Sequence, residues 1–161
     1  MSSTPTAKAD GTVLTGVSKT ALLTLQVRAS EARRPDSIID DPMAIQLADS
    51  IDYDFAKFGF SRRQDMAVRA LGYDRQTRRY LIDHPRATVV ALAEGLQTSF
   101  HRLDASGVGD QFRWFTVDLP PMCPGSGPCT ICPMPRVAAQ CSMPCCGRSS
   151  GWRCSIRCGR C

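Results

Sequence analysis

Cysteine is missing from the first 122 residues of this 161-residue chain, and no apolar run in it approaches the ~20 residues that a membrane-spanning helix requires. A disulfide-braced scaffold is therefore excluded for that stretch, and no membrane partner is expected. Acidic residues are absent beyond Asp118. All fifteen of them lie between Asp10 and Asp118, as do fifteen of the twenty basic residues between Lys8 and Arg113, so the first 122 residues are formally neutral. The net charge of +5 comes from Arg136, Arg148, Arg153, Arg157 and Arg160 alone. Five scattered arginines, with no positioned lysines or interleaved aromatic rings, do not make a nucleic-acid surface. Residues 1–14 are polar, with Lys8 and Asp10, and hold no apolar run of the kind a secretory leader needs, so a cytoplasmic location is expected.

The chain does contain clear helical and strand patterns. Residues 1–16, rich in Ser, Thr, Ala and Gly, read as a mobile arm. Ser18 is placed to cap a helix whose apolar positions Ala21, Leu22, Leu25 and Ala29 recur at helical spacing to about Arg33, where Arg34-Pro35 stops it. Asp40-Asp41-Pro42 starts a second helix with Met43, Ile45, Leu47 and Ala48 on its apolar face. Tyr53, Phe55, Phe58 and Phe60 then form an irregular segment expected to bury its rings against the helices. Only Lys57 lies among the rings, whereas a base-stacking platform would need basic residues alternating with them. A longer helix is predicted over 63–82, with Met66, Ala70, Tyr73, Tyr80 and Leu81 on or near one side, ended by His84-Pro85. Residues 87–93 are short, apolar and rich in β-branched side chains, which suits a central parallel strand. A helix over 96–103, a glycine-containing turn and a second strand over 112–117 follow. Together they make half of a nucleotide-binding βαβ unit.

The chemistry is concentrated in Val89-Val-Ala-Leu-Ala-Glu-Gly-Leu-Gln-Thr98, followed 23 residues after Gly95 by Asp118. A ligand at the carboxyl end of a parallel strand needs a residue without a side chain where the backbone passes close to it, and Gly95 meets that need. A carboxylate at the end of the next strand can accept hydrogen bonds from both hydroxyls of a ribose, and Asp118 stands at that spacing. Taken without context, Gly95 is equally an ordinary turn glycine and Asp118 a loop cap. A pyrophosphate site offers three glycines, whereas this turn has one with Glu94 beside it. That acid would repel a pyrophosphate but not the sulfonium and ammonium of S-adenosylmethionine.

The same stretch resembles the leucine carboxyl methyltransferase-like group that includes polyketide O-methyltransferases. The resemblance runs from about Lys19 to Pro121 and is carried by Thr20-Ala-Leu-Leu, Arg28-Ala29, Glu31, Arg33-Arg-Pro-Asp36, Asp40-Asp-Pro42 and Ile51-Asp-Tyr-Asp54. It continues in Arg69-Ala-Leu-Gly-Tyr-Asp-Arg75, His84-Pro85, the 89–98 segment, Arg102-Leu-Asp104 and Arg113-Trp-Phe-Thr-Val-Asp-Leu-Pro120. It implies an incomplete Rossmann-like class I methyltransferase domain of α/β class. A helical cover spans 17–86 and the start of the cofactor domain spans 87–122. The implied cofactor is S-adenosylmethionine and the implied partner a small-molecule methyl acceptor whose carboxylate or hydroxyl oxygen is methylated. Arg69 resembles the arginine that takes the methionine carboxylate. Gly95 resembles the cofactor-loop glycine and Asp118 the ribose acid, with Glu94 and Leu119 beside them. Read without the family, Arg69 is a solvated helix residue. Two departures stand out: many members have Gly at the Ala93 position and Asp at the Gln97 position. No catalytic base and no oligomeric state can be named from the sequence.

Residues 123–161 hold nine Cys, five Pro, five Gly, five Ser and five Arg, with no Leu, Phe, Tyr, Lys, Asp, Glu or His. Such a composition cannot offset the entropy of folding by burial, so an unstructured tail is expected. It is also what a GC-rich gene yields when read out of phase, a frameshift that resequencing would reveal. Cys129-x-x-Cys132 and Cys158-x-x-Cys161 could instead hold a zinc ion, but the pairs are far apart and His ligands are absent. His84 and His101 stand alone and read as loop or surface residues. Beside an active methyltransferase, the alternatives are therefore a non-catalytic remnant that at most binds cofactor and a cysteine-rich metal module.

Overall fold

The computed structural model describes residues 8–59, 63–119, 122 and 130–133. A two-residue strand β1 (Ala9–Asp10) leads through single 3₁₀ turns at Gly11–Val13 and Gly16–Lys19 into helix α1 (Thr20–Ala32) and helix α2 (Pro42–Ser50). Strand β2 (Ile51–Asp52), a 3₁₀ turn at Phe55–Phe58 and helix α3 (Asp65–Asp83) follow. The chain then forms β3 (Thr88–Leu92), α4 (Ser99–Ala105), β4 (Arg113–Asp118) and β5 (Thr130–Pro133). The architecture is mixed α/β with two small sheets.

The N-terminal helices form where the apolar periodicity places them. Asp41 caps α2, its Oδ1 accepting the Ala44 N–H at 3.0 Å, and Pro42 fits the first turn, where no donor is needed. Leu22, Leu25 and Ala29 of α1 pack on Ala44 and Ala48 of α2, together with Leu14 and Ile51. Tyr53, Phe55 and Phe58 pack against this cluster as expected, with Tyr53 and Phe58 stacked at 5.6 Å between ring centroids. Phe60 lies outside the described residues.

Three expectations need correction here. Within the stretch read as a mobile arm, residues 8–16 are built into the fold: β1 pairs in parallel with β2, and Leu14 is 2% exposed. Residues 1–7 lie outside the described residues. Ser18 does not cap α1. It is buried inside the 3₁₀ turn that feeds the helix, whose preceding residue, Lys19, makes no side-chain cap. On α3 the buried residues are Ala67, Ala70 and Leu81, whereas Tyr73 and Tyr80 are exposed. The small alanines let α3 approach its neighbours closely, and the tyrosines keep their hydroxyls in water. Tyr80 stacks on His84 at 4.2 Å.

The second unit is the strand pair read from the sequence. β3 and β4 are parallel, with Thr88 opposite Arg113 and Leu92 opposite Val117, and α4 lies in the connection. One sheet face is covered: Trp114 joins Leu81, Phe100, Leu103, Val108 and Phe112 in a buried cluster against which Val89 and Ala91 pack. Phe100 meets Phe112 and Trp114 edge to face, and burial of such a ring is worth about 2–3 kcal/mol. The other face is open at β3, where Val90 and Leu92 are exposed.

The segment expected to be unstructured contributes one strand. β5 pairs antiparallel with β4, Thr130 opposite Asp118 and Pro133 opposite Phe115, so the β4 edge is occupied along those residues. The rest of 123–161, including Cys158-x-x-Cys161, lies outside the described residues.

Candidate functional site

The loop after β3 turns sharply over three residues. The Ala93 N–H donates to the Val117 carbonyl at 2.8 Å, which prolongs the strand pairing by one residue. Ala93 (φ +50°) and Gly95 (φ +62°) then both adopt the left-handed region. Gln97 N–H closes the turn on the Glu94 carbonyl at 3.2 Å. Asp118 ends the neighbouring strand, so parallel pairing brings its carboxylate to this turn. Its Oδ2 accepts the Gly95 N–H at 2.6 Å and its Oδ1 accepts the Leu119 N–H at 2.7 Å. A carboxylate has about four lone-pair sites, so each Asp118 oxygen retains capacity for one further donor. That is the requirement for grasping a vicinal diol.

Glu94 faces the covered side of the sheet. Its Oε2 accepts from Trp114 Nε1 at 3.1 Å and from the Thr116 hydroxyl. Its Oε1 is buried without a hydrogen-bond partner among the described residues. Burial pushes the Glu94 carboxyl above the usual carboxylate range, and nearby Asp118 adds to the rise, against the two hydrogen bonds that lower it. The structure thus brings Glu94, Gly95, Asp118 and Leu119 together. Arg69 stands exposed on α3, and no hydrogen bond or ion pair described in the structure joins it to them.

Gly95 is needed for a second reason. A Cβ built there would lie 3.1 Å from Cβ of Ala21, so what approaches this residue on that side is helix α1. The left-handed φ and this contact both disfavour a side chain.

A buried ionic network behind the turn was not singled out from the sequence. Arg28 is fully buried on α1 and donates from Nη1 to the Thr24 carbonyl at 3.0 Å and from Nη2 to the Leu96 carbonyl at 2.6 Å. Its Nε lies 3.6 Å from Asp41 Oδ2, an ion-pair contact beyond hydrogen-bond reach. Asp41, also fully buried, accepts from Thr98 Oγ1 at 2.6 Å and from Arg102 Nη1. Arg102 is held in turn by Asp74, Nε to Oδ2 at 2.6 Å. Desolvation lowers Arg28 to about 10, partly offset by Asp41, so it stays cationic at neutral pH. Burial works against the charge on Arg102 too, but the bonds to Asp74 and Asp41 outweigh it and raise its pKa. The available signal was a cation on the apolar stripe of α1, between Leu25 and Ala29.

No group of three or more potential metal ligands occurs among the described residues. His101 is neither on a loop nor fully at the surface: it lies on α4, edge-on to Phe100, and burial lowers its pKa. No helix among the described residues is long and apolar enough to cross a membrane.

A parallel strand pair carries a left-handed glycine turn on one strand end and a carboxylate on the next, the place in an α/β sheet where ligands generally bind. Comparison with known proteins gives the chain a relative. The chain is 40% identical over 110 residues to the tetracenomycin polyketide synthesis O-methyltransferase TcmP of Streptomyces glaucescens, a match covering 66% of this chain and 39% of that protein. The chain is thus similar, over about two thirds of its length, to a polyketide O-methyltransferase. The chain spans about two fifths of the length of the curated relative it matches. No family model matches, and no solved structure matches.

Proposed function

We propose that this chain carries the cofactor-binding part of a Rossmann-like methyltransferase that uses S-adenosylmethionine to methylate a carboxylate or hydroxyl oxygen of a small molecule. The observation that carries the proposal is the clamp between Gly95 and Asp118 at the carboxyl ends of β3 and β4. The relative's name supports the reaction class and, for the acceptor, a polyketide-like compound. The residues fit the cofactor. Asp118 keeps lone pairs for the two ribose hydroxyls, and the unpartnered Oε1 of Glu94 offers an acceptor for a cationic or donor group. Arg69, exposed on α3, is the candidate for the methionine carboxylate, a planar donor fork suited to bidentate pairing. Leu119 is the candidate for a contact beside the ribose.

When bound, the cofactor supplies an electrophilic methyl group. The protein's part is to hold donor and acceptor in line and exclude water, which alone lowers the barrier by several kcal/mol. In this site Asp118 would fix the ribose end and Arg69 the carboxylate end. A base is needed only where the acceptor must lose a proton.

Isothermal titration of the reduced chain with S-adenosylmethionine tests the reading. Saturable binding is expected, weakened about tenfold or more in Asp118→Asn, which keeps the shape but loses the charge-assisted acceptors. Absence of binding by a folded sample would overturn it. The open β3 face at Val90 and Leu92 favours a second reading, binding without turnover, which retained binding without methyl transfer would establish.

A further inference from the structure

Helix α1 touches the 93–98 turn at two points on one of its faces. Ala21 packs on Gly95, and Arg28, seven residues and about two helical turns further on, donates to the Leu96 carbonyl at 2.6 Å. Thr98, at the end of the same turn, is tied to Asp41 of the α2 cap, which also pairs with Arg28 and Arg102. The backbone of the turn is therefore held from two sides. Asp118 holds Gly95 from within the sheet, and Arg28 and Asp41 hold Leu96 and Thr98 from the helical region. A loop with left-handed residues at both 93 and 95 needs such over-determination, because the alanine at 93 costs free energy that its own local bonds do not return.

We infer that Arg28 is a positioning residue for the cofactor turn: its bond to the Leu96 carbonyl, braced by Asp41, sets the conformation in which Gly95 and Asp118 meet. Helices α1 and α2 are then a structural part of the ligand site rather than a lid that opens and closes over it. The inference rests on the proposed function for what the turn binds, but the ordering of the turn can be read without any ligand.

The test compares Arg28→Met and Arg28→Lys in the full chain with Arg33→Met, an exposed control whose partner is Asp49. Amide hydrogen exchange is followed at Gly95 and Gln97, which report the Asp118 bond and the turn closure. In Arg28→Met these amides are expected to exchange about tenfold faster or more, while the middle of α3 and the control variant are unchanged. Arg28→Lys, which keeps the charge beside Asp41 but not the forked reach to both carbonyls, should recover part of the protection. It also carries the test if circular dichroism shows Arg28→Met to be unfolded. Unchanged exchange at Gly95 and Gln97 in a folded Arg28 variant overturns the inference, as does a uniform rise across α3, which would mark general destabilisation. Titration with S-adenosylmethionine runs in parallel. If the unaltered chain fails to bind, the cofactor reading falls and the exchange result still decides the role of Arg28.

Discussion

Ala93 and Gly95 occupy the same unusual backbone region two residues apart, yet only one of them is glycine. A left-handed conformation costs an alanine roughly 1–2 kcal/mol, and replacing it by glycine costs about 0.5–1 kcal/mol in unfolded-state entropy. Ala93→Gly is therefore expected to be neutral or to stabilise slightly. Ala91→Gly on β3 should lose up to about 1 kcal/mol. Gly95→Ala carries both the strain and the contact with Ala21, and should lose about 2 kcal/mol. Urea denaturation of the three variants checks the order. The departure seen in the sequence at Ala93 thus has a physical meaning, local strain at the proposed cofactor loop. The sequence could mark the position but not the φ angle.

At the scale of elements, what matters is that α1, α2, α3 and α4 each place one charged residue in a common buried network: Arg28, Asp41, Asp74 and Arg102. Removing Asp41 leaves two buried cations short of their carboxylate and unties the α2 cap. Loss of one partner from such a buried pair costs about 3–5 kcal/mol, a large part of the stability of a domain of this size. Asp41→Ala is expected to show this loss in its denaturation midpoint, whereas Asp49→Ala, which frees only the surface partner Arg33, should change stability by less than about 1 kcal/mol. The elements themselves were legible: α1, α2, α3, β3, α4 and β4 fall within a few residues of the positions that periodicity and Pro or Gly stops indicate. The network was not, because Arg28 on the apolar stripe of α1 and Asp74 on α3 do not reveal their partners until residues 13 and 28 positions away are in place. Arg69 and Arg28 are the same residue type on neighbouring helices, yet only the structure shows one exposed and the other fully buried.

For the whole molecule, the sheet is covered on one side and open at β3 on the other. Val90 and Leu92 are 53% and 73% exposed on adjacent positions of one face, at a strand with no second pairing partner among the described residues. Apolar surface beside a free strand edge favours association between copies. Sedimentation of the reduced chain is expected to show concentration-dependent association, reduced in the Val90→Thr/Leu92→Thr double variant, with the thermal midpoint changed little because neither side chain is buried. The sequence by itself determined helices α1 to α4, the parallel pair β3 and β4, and the spacing that sets Gly95 against Asp118, because each rests on local periodicity or on spacing along one chain segment. Only the tertiary structure decided that residues 8–16 enter the core, that 130–133 occupy the β4 edge, and that Arg28 reaches a carbonyl 68 residues away. Those contacts join distant parts of the chain, and their stability comes from burial and charge pairing that exist only once the helices and strands have packed.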